Sequence, residues 1–97
     1  MKIELKKFGT TLISRQTGKE AYNAFLPSLR SISSQEEIII DFTEVNTFSP
    51  SWGDEFLTKI IKKHKNQTKL INTQNLSVKN TLSLLEDINK IKFNIES

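Results

Sequence analysis

The apolar residues of this chain form short alternating runs and longer helical stripes. Ile3 and Leu5 alternate with polar neighbours within residues 2–7, which is the period-two pattern of a half-buried strand. Gly9 offers a turn before a second short run at residues 11–13. The two runs predict a hairpin of short strands.

Helical spacing follows this hairpin. From Ala21 to Leu29, apolar side chains recur every four residues, which places them on one face of a helix. Ser14 or Thr17 could cap its first turn. Because proline lacks an N–H group and clashes with the preceding turn, Pro27 is expected to kink or end this helix.

A continuous β-branched run, IIIDF at residues 38–42, comes next. Such runs are typical of a strand buried on both faces of a sheet, so this is the predicted central strand.

A second helix is predicted from Trp52 to Lys65. Its apolar residues share one face, Asp54 and Glu55 stand in its first turn, and lysines fill its last turn, so each charge matches the helix dipole.

The last third of the chain continues this alternation. Residues 69–71 predict a brief strand, and Ser77 opens a third, amphipathic helix whose apolar residues are spaced by three or four: Val78, Leu82, Leu85 and Ile88. The alternating tail at residues 91–95 could add an edge strand. The order β-β-α-β-α-β-α, with the final β left open, predicts a single α/β domain over residues 1–97. Its mixed sheet of four to five strands would be covered by three helices.

Composition excludes several classes of protein. The 97 residues are 36% hydrophobic and 26% charged, as in a globular protein large enough for one core. No stretch approaches the roughly 18 apolar residues of a membrane span, and the start MKIELKK lacks the apolar segment of a signal peptide. We therefore expect a soluble cytoplasmic protein without membrane association. With no cysteine and one histidine, we expect no disulfide, no metal and no cofactor.

Catalysis is not expected either. Asp41 ends the central strand, where catalytic acids occur in α/β folds, but the sequence ties no second acid, base or histidine to it and has no glycine-rich phosphate loop. The net charge of +3 and the lysines around His64 could contact nucleic acid. The same lysines are typical of a solvated helix end, and we do not expect nucleic-acid binding.

The stretch DFTEVNTFSPSWGD contains the main candidate chemistry. Ser51 stands three residues before Asp54, a spacing close to a capping box, and Pro50 keeps Ser49 extended. On this interpretation Ser51 is only a helix cap. The alternative is that Ser51 is phosphorylated, because a helix N-terminus stabilises a phosphate. That phosphate would also be repelled by the neighbouring acids, and would so switch a binding surface.

The residues IIIDFTEVNTFSPSWGDEF resemble the strand-loop-helix segment of STAS domains, the fold of anti-sigma factor antagonists. They resemble more closely the STAS-like family known as a domain of unknown function. In the antagonists this loop carries an Asp-Ser-Ser-Gly motif, whose second serine is phosphorylated by a partner kinase that doubles as the anti-sigma factor. Ser49 stands at the Asp, Pro50 at the first Ser, Ser51 at the second Ser and Trp52 at the Gly, so Ser51 alone carries over as a chemical group.

The resemblance implies a non-enzymatic regulatory module that docks a protein partner. The implied partner is a histidine-kinase-like ATPase or an anti-sigma-like kinase. The expected docking surface is the loop and helix start at residues 48–56, with Ser51 as the first choice of switch residue and Ser49 as the second. The predicted partner-binding residues are Phe48, Pro50, Trp52, Gly53, Asp54 and Glu55.

Two further hypotheses concern the same loop. Arg15, just after the second predicted strand, could bind an acidic group near it. The alternative function is a small-ligand or nucleotide sensor, which would hold an anion at the same helix N-terminus without phosphorylation. The sequence leaves the oligomeric state open.

Overall fold

The chain alternates short strands with three helices in a computed structural model, which describes residues 1–96. The strands are β1 (Lys2–Glu4), β2 (Thr11–Leu12), β3 (Ile38–Asp41), β4 (Thr47–Phe48) and β5 (Thr68–Ile71). The first and third helices are α1 (Arg15–Arg30) and α3 (Leu76–Asn89). Between them lies α2, which joins the segments Pro50–Gly53, Asp54–Thr58 and Lys59–His64 without a break. The middle segment of α2 is a π-helical turn. The predicted α/β fold class with three helices is confirmed.

All the strand pairs are parallel in the part of the chain that the structure describes. In a three-stranded sheet, β3 lies between β1 and β5, so that Ile40 stands beside both Ile3 and Leu70. A separate two-stranded sheet joins β2 to β4. The tail adds one parallel bridge, from Ile95 to Leu70 of β5. The sheet is therefore divided and parallel, where the sequence predicted one mixed sheet.

The predicted hairpin of residues 2–7 and 11–13 is wrong. The chain turns at Gly9, whose φ of 124° favours glycine, but β1 pairs with β3 and β2 with β4. The reason is that residues Leu5–Phe8 leave the strand conformation for a 3₁₀ turn. This turn buries Leu5 and packs the Phe8 ring 5.5 Å from that of Phe56, measured between centroids.

Aromatic side chains fill the space beneath α2. Trp52 is only 1% exposed, and its ring centroid lies 5.0 Å from that of Phe56 and 6.1 Å from that of Phe48. Phe42 continues the cluster, with its ring 5.2 Å from that of Phe48. The first turn of α2 is therefore anchored in the core through Trp52.

Helix α1 meets the start of α2 at Gly18. A Cβ atom on Gly18 would lie 2.8 Å from the carbonyl oxygen of Trp52 and 3.0 Å from its Cα. Such an approach of two backbones requires a residue without a side chain. Ser14 caps α1 by accepting a hydrogen bond from the Thr17 N–H at 3.1 Å. The helix continues past Pro27 to Arg30, so Pro27 does not end it.

Replacing Gly18 by alanine is expected to destabilise the protein by about 1–3 kcal/mol, the usual cost of overpacking a tight contact. This loss should appear although alanine favours a helix by about 1 kcal/mol over glycine. Urea unfolding followed by circular dichroism measures it. Asn23→Ala, at an exposed position of the same helix, should be neutral or slightly stabilising. A G18A protein as stable as N23A would contradict the close contact of α1 with α2.

Candidate functional site

Ser49 caps α2. Its Oγ accepts a hydrogen bond from the Trp52 N–H at 3.2 Å and donates one to the carbonyl oxygen of Ile13 at 2.7 Å. Pro50 is the first helical residue, a favoured place for proline because that N–H has no partner within the helix. The predicted capping box of Ser51 and Asp54 is therefore wrong, because the residue that caps the helix is Ser49, two positions before Ser51.

Ser51 lies in the first turn of α2 and is partly exposed. It lines a surface pocket of about 250 Å³ between the starts of α1 and α2 and the end of α3. The pocket opens to solvent beside Ile88, which is 62% exposed. Its lining residues are Arg15, Pro50, Ser51, Asp54, Leu85 and Ile88. We call these six residues the Ser51 pocket.

An ion-pair cluster borders this pocket. The Nη1 atom of Arg15 donates to Asp54 Oδ2 at 3.1 Å and to Glu55 Oε2 at 2.6 Å. The Lys59 Nζ donates to the second oxygen of Glu55 at 2.8 Å. These contacts confirm the prediction that Arg15 binds acidic groups near the loop. Hydrogen bonds from Lys59 and then Arg15 lower the pKa of Glu55 from 4.5 to about 2, against the opposing effect of burial.

Three of the predicted partner-binding residues do not face solvent. Phe48 and Trp52 are each 1% exposed, and Gly53 is buried where a Cβ atom would lie 2.8 Å from Leu85 Cδ1. The sequence predicted these residues on the docking surface, but the anchoring of α2 turns them into the core. Glu55 is also largely buried and engaged by two cations. The predicted site residues that remain partly exposed are Ser49, Pro50, Ser51 and Asp54.

The contribution of α3 to the pocket was missed. The sequence assigned Leu85 and Ile88 to the buried stripe of a helix, and Leu85 is indeed buried at 1% exposure, whereas Ile88 is exposed. Leu84, beside them in the chain, is 44% exposed. Periodicity identifies the helix, but it does not show which of its apolar side chains the rest of the domain leaves uncovered.

Asp41 has a structural role. Its Oδ1 accepts hydrogen bonds from the Thr43 N–H at 2.9 Å, the Thr43 hydroxyl at 2.6 Å and the Asn72 amide at 2.8 Å. Burial alone would raise the pKa of Asp41, but these hydrogen bonds outweigh it and lower the pKa to about 2. A carboxylate this acidic is a poor proton acceptor at neutral pH. Asp41 instead ties the loop after β3 to the end of β5.

His64 is held by a neighbouring side chain. The Nδ1 atom of His64 is hydrogen-bonded to Gln67 Oε1 at 3.0 Å. Within residues 1–96, no group of three or more acidic or histidine side chains could hold a metal ion. Over the same residues, no helix is both long and apolar enough to cross a membrane.

Comparison with known proteins finds a family to which much of the chain is similar. A family model described as a STAS-like domain of unknown function matches residues 17–81, more than half of the chain. The matched range includes β3, β4, α2 and β5. A search of the curated proteins and a search of the solved structures each found no match.

Acid is expected to destabilise the protein through Glu55 and Asp41. Their carboxylates have pKa values lowered from 4.5 and 3.8 to about 2 in the folded state. The stability they contribute is therefore present above about pH 4.5 and is lost as the pH falls towards 2. The free energy of unfolding can be measured in urea from pH 7 to pH 2.5. The contribution of these two groups to it should be constant down to about pH 5 and should then fall.

The Glu55→Gln protein tests this assignment, because it should lose less stability than the wild type over the same acid range. The matched control is Glu20→Gln, which removes an acid from an exposed position of α1 and should keep the wild-type slope. Identical slopes for wild type, E55Q and E20Q would show that the Arg15–Glu55–Lys59 cluster contributes nothing.

Proposed function

This chain belongs to the family of STAS-like domains of unknown function, and we propose that it acts as a non-enzymatic regulatory module that docks a protein partner. Family membership supports the regulatory role. The observation that carries the docking proposal is the position of Ser51, which lines an accessible pocket. Ser51 also corresponds to the phosphorylated serine of the anti-sigma factor antagonists that this segment resembles.

The docking surface is the Ser51 pocket with the exposed side chains at its rim. It combines the apolar Pro50 and Ile88 with a hydroxyl at Ser51 and a charge at Asp54. An apolar centre with a polar rim is the usual make-up of a protein–protein interface. Since STAS relatives pair with histidine-kinase-like ATPases, the proposed partner is an ATPase or kinase of that class.

Phosphorylation of Ser51 is the proposed switch. A phosphate adds about −1.5 to −2 charges at neutral pH, here beside the apolar Leu85 and Ile88 and close to Asp54. A partner that covers this apolar surface would have to bury the phosphate, which is costly. Ser49 is the weaker choice, because its hydroxyl already makes two hydrogen bonds: it caps α2 by accepting from the Trp52 N–H, and it donates to the Ile13 carbonyl. Phosphorylation there would disrupt the helix start.

Ser51→Asp is expected to weaken partner binding at least about tenfold, since a charge in the apolar contact loses roughly 1.4 kcal/mol or more. Its melting temperature should stay within a few degrees of the wild type, because Ser51 is not the cap. The partner is first isolated from native cells with the wild-type protein as bait, and affinities are then measured by calorimetry. Ser28→Asp, at an exposed position of α1, should bind like the wild type. Equal affinities for wild type and S51D would remove the switch.

A nucleotide or small-anion sensor remains the second candidate, because Arg15 is a cation in the same pocket. Asp54 and Glu55 already pair with it, so an anion from solution would have to displace a carboxylate, whereas a phosphate attached to Ser51 is already held in the pocket; this favours the docking module. Thermal-shift measurements with a panel of nucleotides separate the two functions. The docking module predicts no specific rise in melting temperature, whereas a specific rise that Arg15→Gln abolishes would favour the sensor.

A further inference from the structure

We propose that, once Ser51 is phosphorylated, the guanidinium of Arg15 binds the phosphate on Ser51. Arg15 would give up its contact with Asp54 to do so. This inference rests on the proposed function, because it takes Ser51 as the modified residue. The three side chains line one pocket of about 250 Å³. Arg15 comes from α1, and Ser51 and Asp54 come from the first turns of α2.

The modification transfers a phosphoryl group from a nucleoside triphosphate bound to the partner kinase. A bond forms between Ser51 Oγ and the γ-phosphorus, and the bond from that phosphorus to the bridging oxygen of the β-phosphate breaks. The hydroxyl proton passes to a base of the kinase or to solvent, and the nucleoside diphosphate leaves. The chain itself has only to present the hydroxyl and then to hold the product.

The guanidinium of Arg15 suits a phosphate. It is planar and offers five N–H donors that match two phosphate oxygens at once. Both of its contacts with acids are made by the single atom Nη1. Arg15 can therefore turn its other donors to a phosphate without losing Glu55. Among the described residues that line the pocket, it is the one cation, since α3 presents Leu85 and Ile88.

Asp54 is the contact that gives way. Its side chain is 42% exposed, whereas that of Glu55 is 12% exposed and is also bound by Lys59 at 2.8 Å. A dianionic phosphate would repel the nearby Asp54 carboxylate, and this exposed side chain can move into water at small cost. Glu55 would remain as the fixed support of the guanidinium. The phosphate would then cover the apolar lining of the pocket, and the surface offered to a partner would be charged instead of apolar.

The test is a ³¹P NMR titration of protein carrying phosphoserine at position 51, installed by genetic encoding. The second pKa of a phosphoserine is about 6, and a cation in contact with the dianion lowers it. In Arg15→Gln we expect this pKa to be at least about 0.5 higher than in the wild-type background, a roughly threefold change in proton affinity. Asp54→Asn should lower it, because a competing anion is removed.

Lys19→Gln is the matched control, since it removes one positive charge from an exposed position of the same helix and should leave the phosphate pKa within about 0.1 of the wild-type value. Equal phosphate pKa values in R15Q and K19Q would overturn the proposal. If R15Q does not fold, the D54N titration decides, and an unchanged pKa there would overturn it as well. Because the phosphate is installed directly, failure of this test is distinct from failure of the docking proposal, which is read from partner affinity.

Discussion

The burial of Trp52 at the start of α2 is the constraint on which the candidate site depends. Aromatic side chains bury about 150–250 Å², which at about 25 cal/mol per Å² contributes roughly 4–6 kcal/mol. Trp52 takes this position because Gly18 lets the backbone of α1 touch the backbone of α2. Because Trp52 points into the core, the preceding residue, Ser51, lies at the border between the buried and exposed faces of the helix. The exposure of Ser51 is thus a consequence of the packing of its neighbour.

Glycines on both sides of α2 fix this arrangement. Gly18 admits α1, and Gly53 admits Leu85 of α3, whose Cδ1 would lie 2.8 Å from a Cβ atom at that position. The start of α2 is therefore held between the other two helices, and the Ser51 pocket is the space left between them at the surface. Arg15 closes one side of this space through its ion pairs with Asp54 and Glu55. Packing places the hydroxyl, and electrostatics sets the charge around it.

Local patterns predicted what local forces decide. The β-branched run of β3 and the amphipathic face of α2 follow from neighbouring residues, as does the cap of α1, which lies at Ser14, one of the two predicted residues. The motif around Ser51 identified the family that the comparison confirms. The hairpin failed because strand pairing joins residues about 37 positions apart, such as Lys2 and Ile39, and the turn at Leu5–Phe8 has no strong signal.

The errors within the site have different causes. The cap at Ser49 could have been predicted, since proline favours the first helical position and so points to the residue before it. The burial of Trp52 could not, because it requires knowing that Gly18, 34 positions earlier in the numbering, faces it. The exposure of Ile88 has the same origin, as only the assembled helices determine which apolar side chains remain uncovered.

If a partner docks at the Ser51 pocket, a photoreactive side chain at the rim of the pocket should crosslink to that partner in native cells. A photoreactive amino acid is placed at Ile88, at the rim of the pocket, or at Leu76, which is 71% exposed at the other end of α3. Mass spectrometry then identifies the captured protein. We expect that position 88, and not position 76, captures an ATPase or kinase. Capture of that protein from position 76 without capture from position 88 would contradict it.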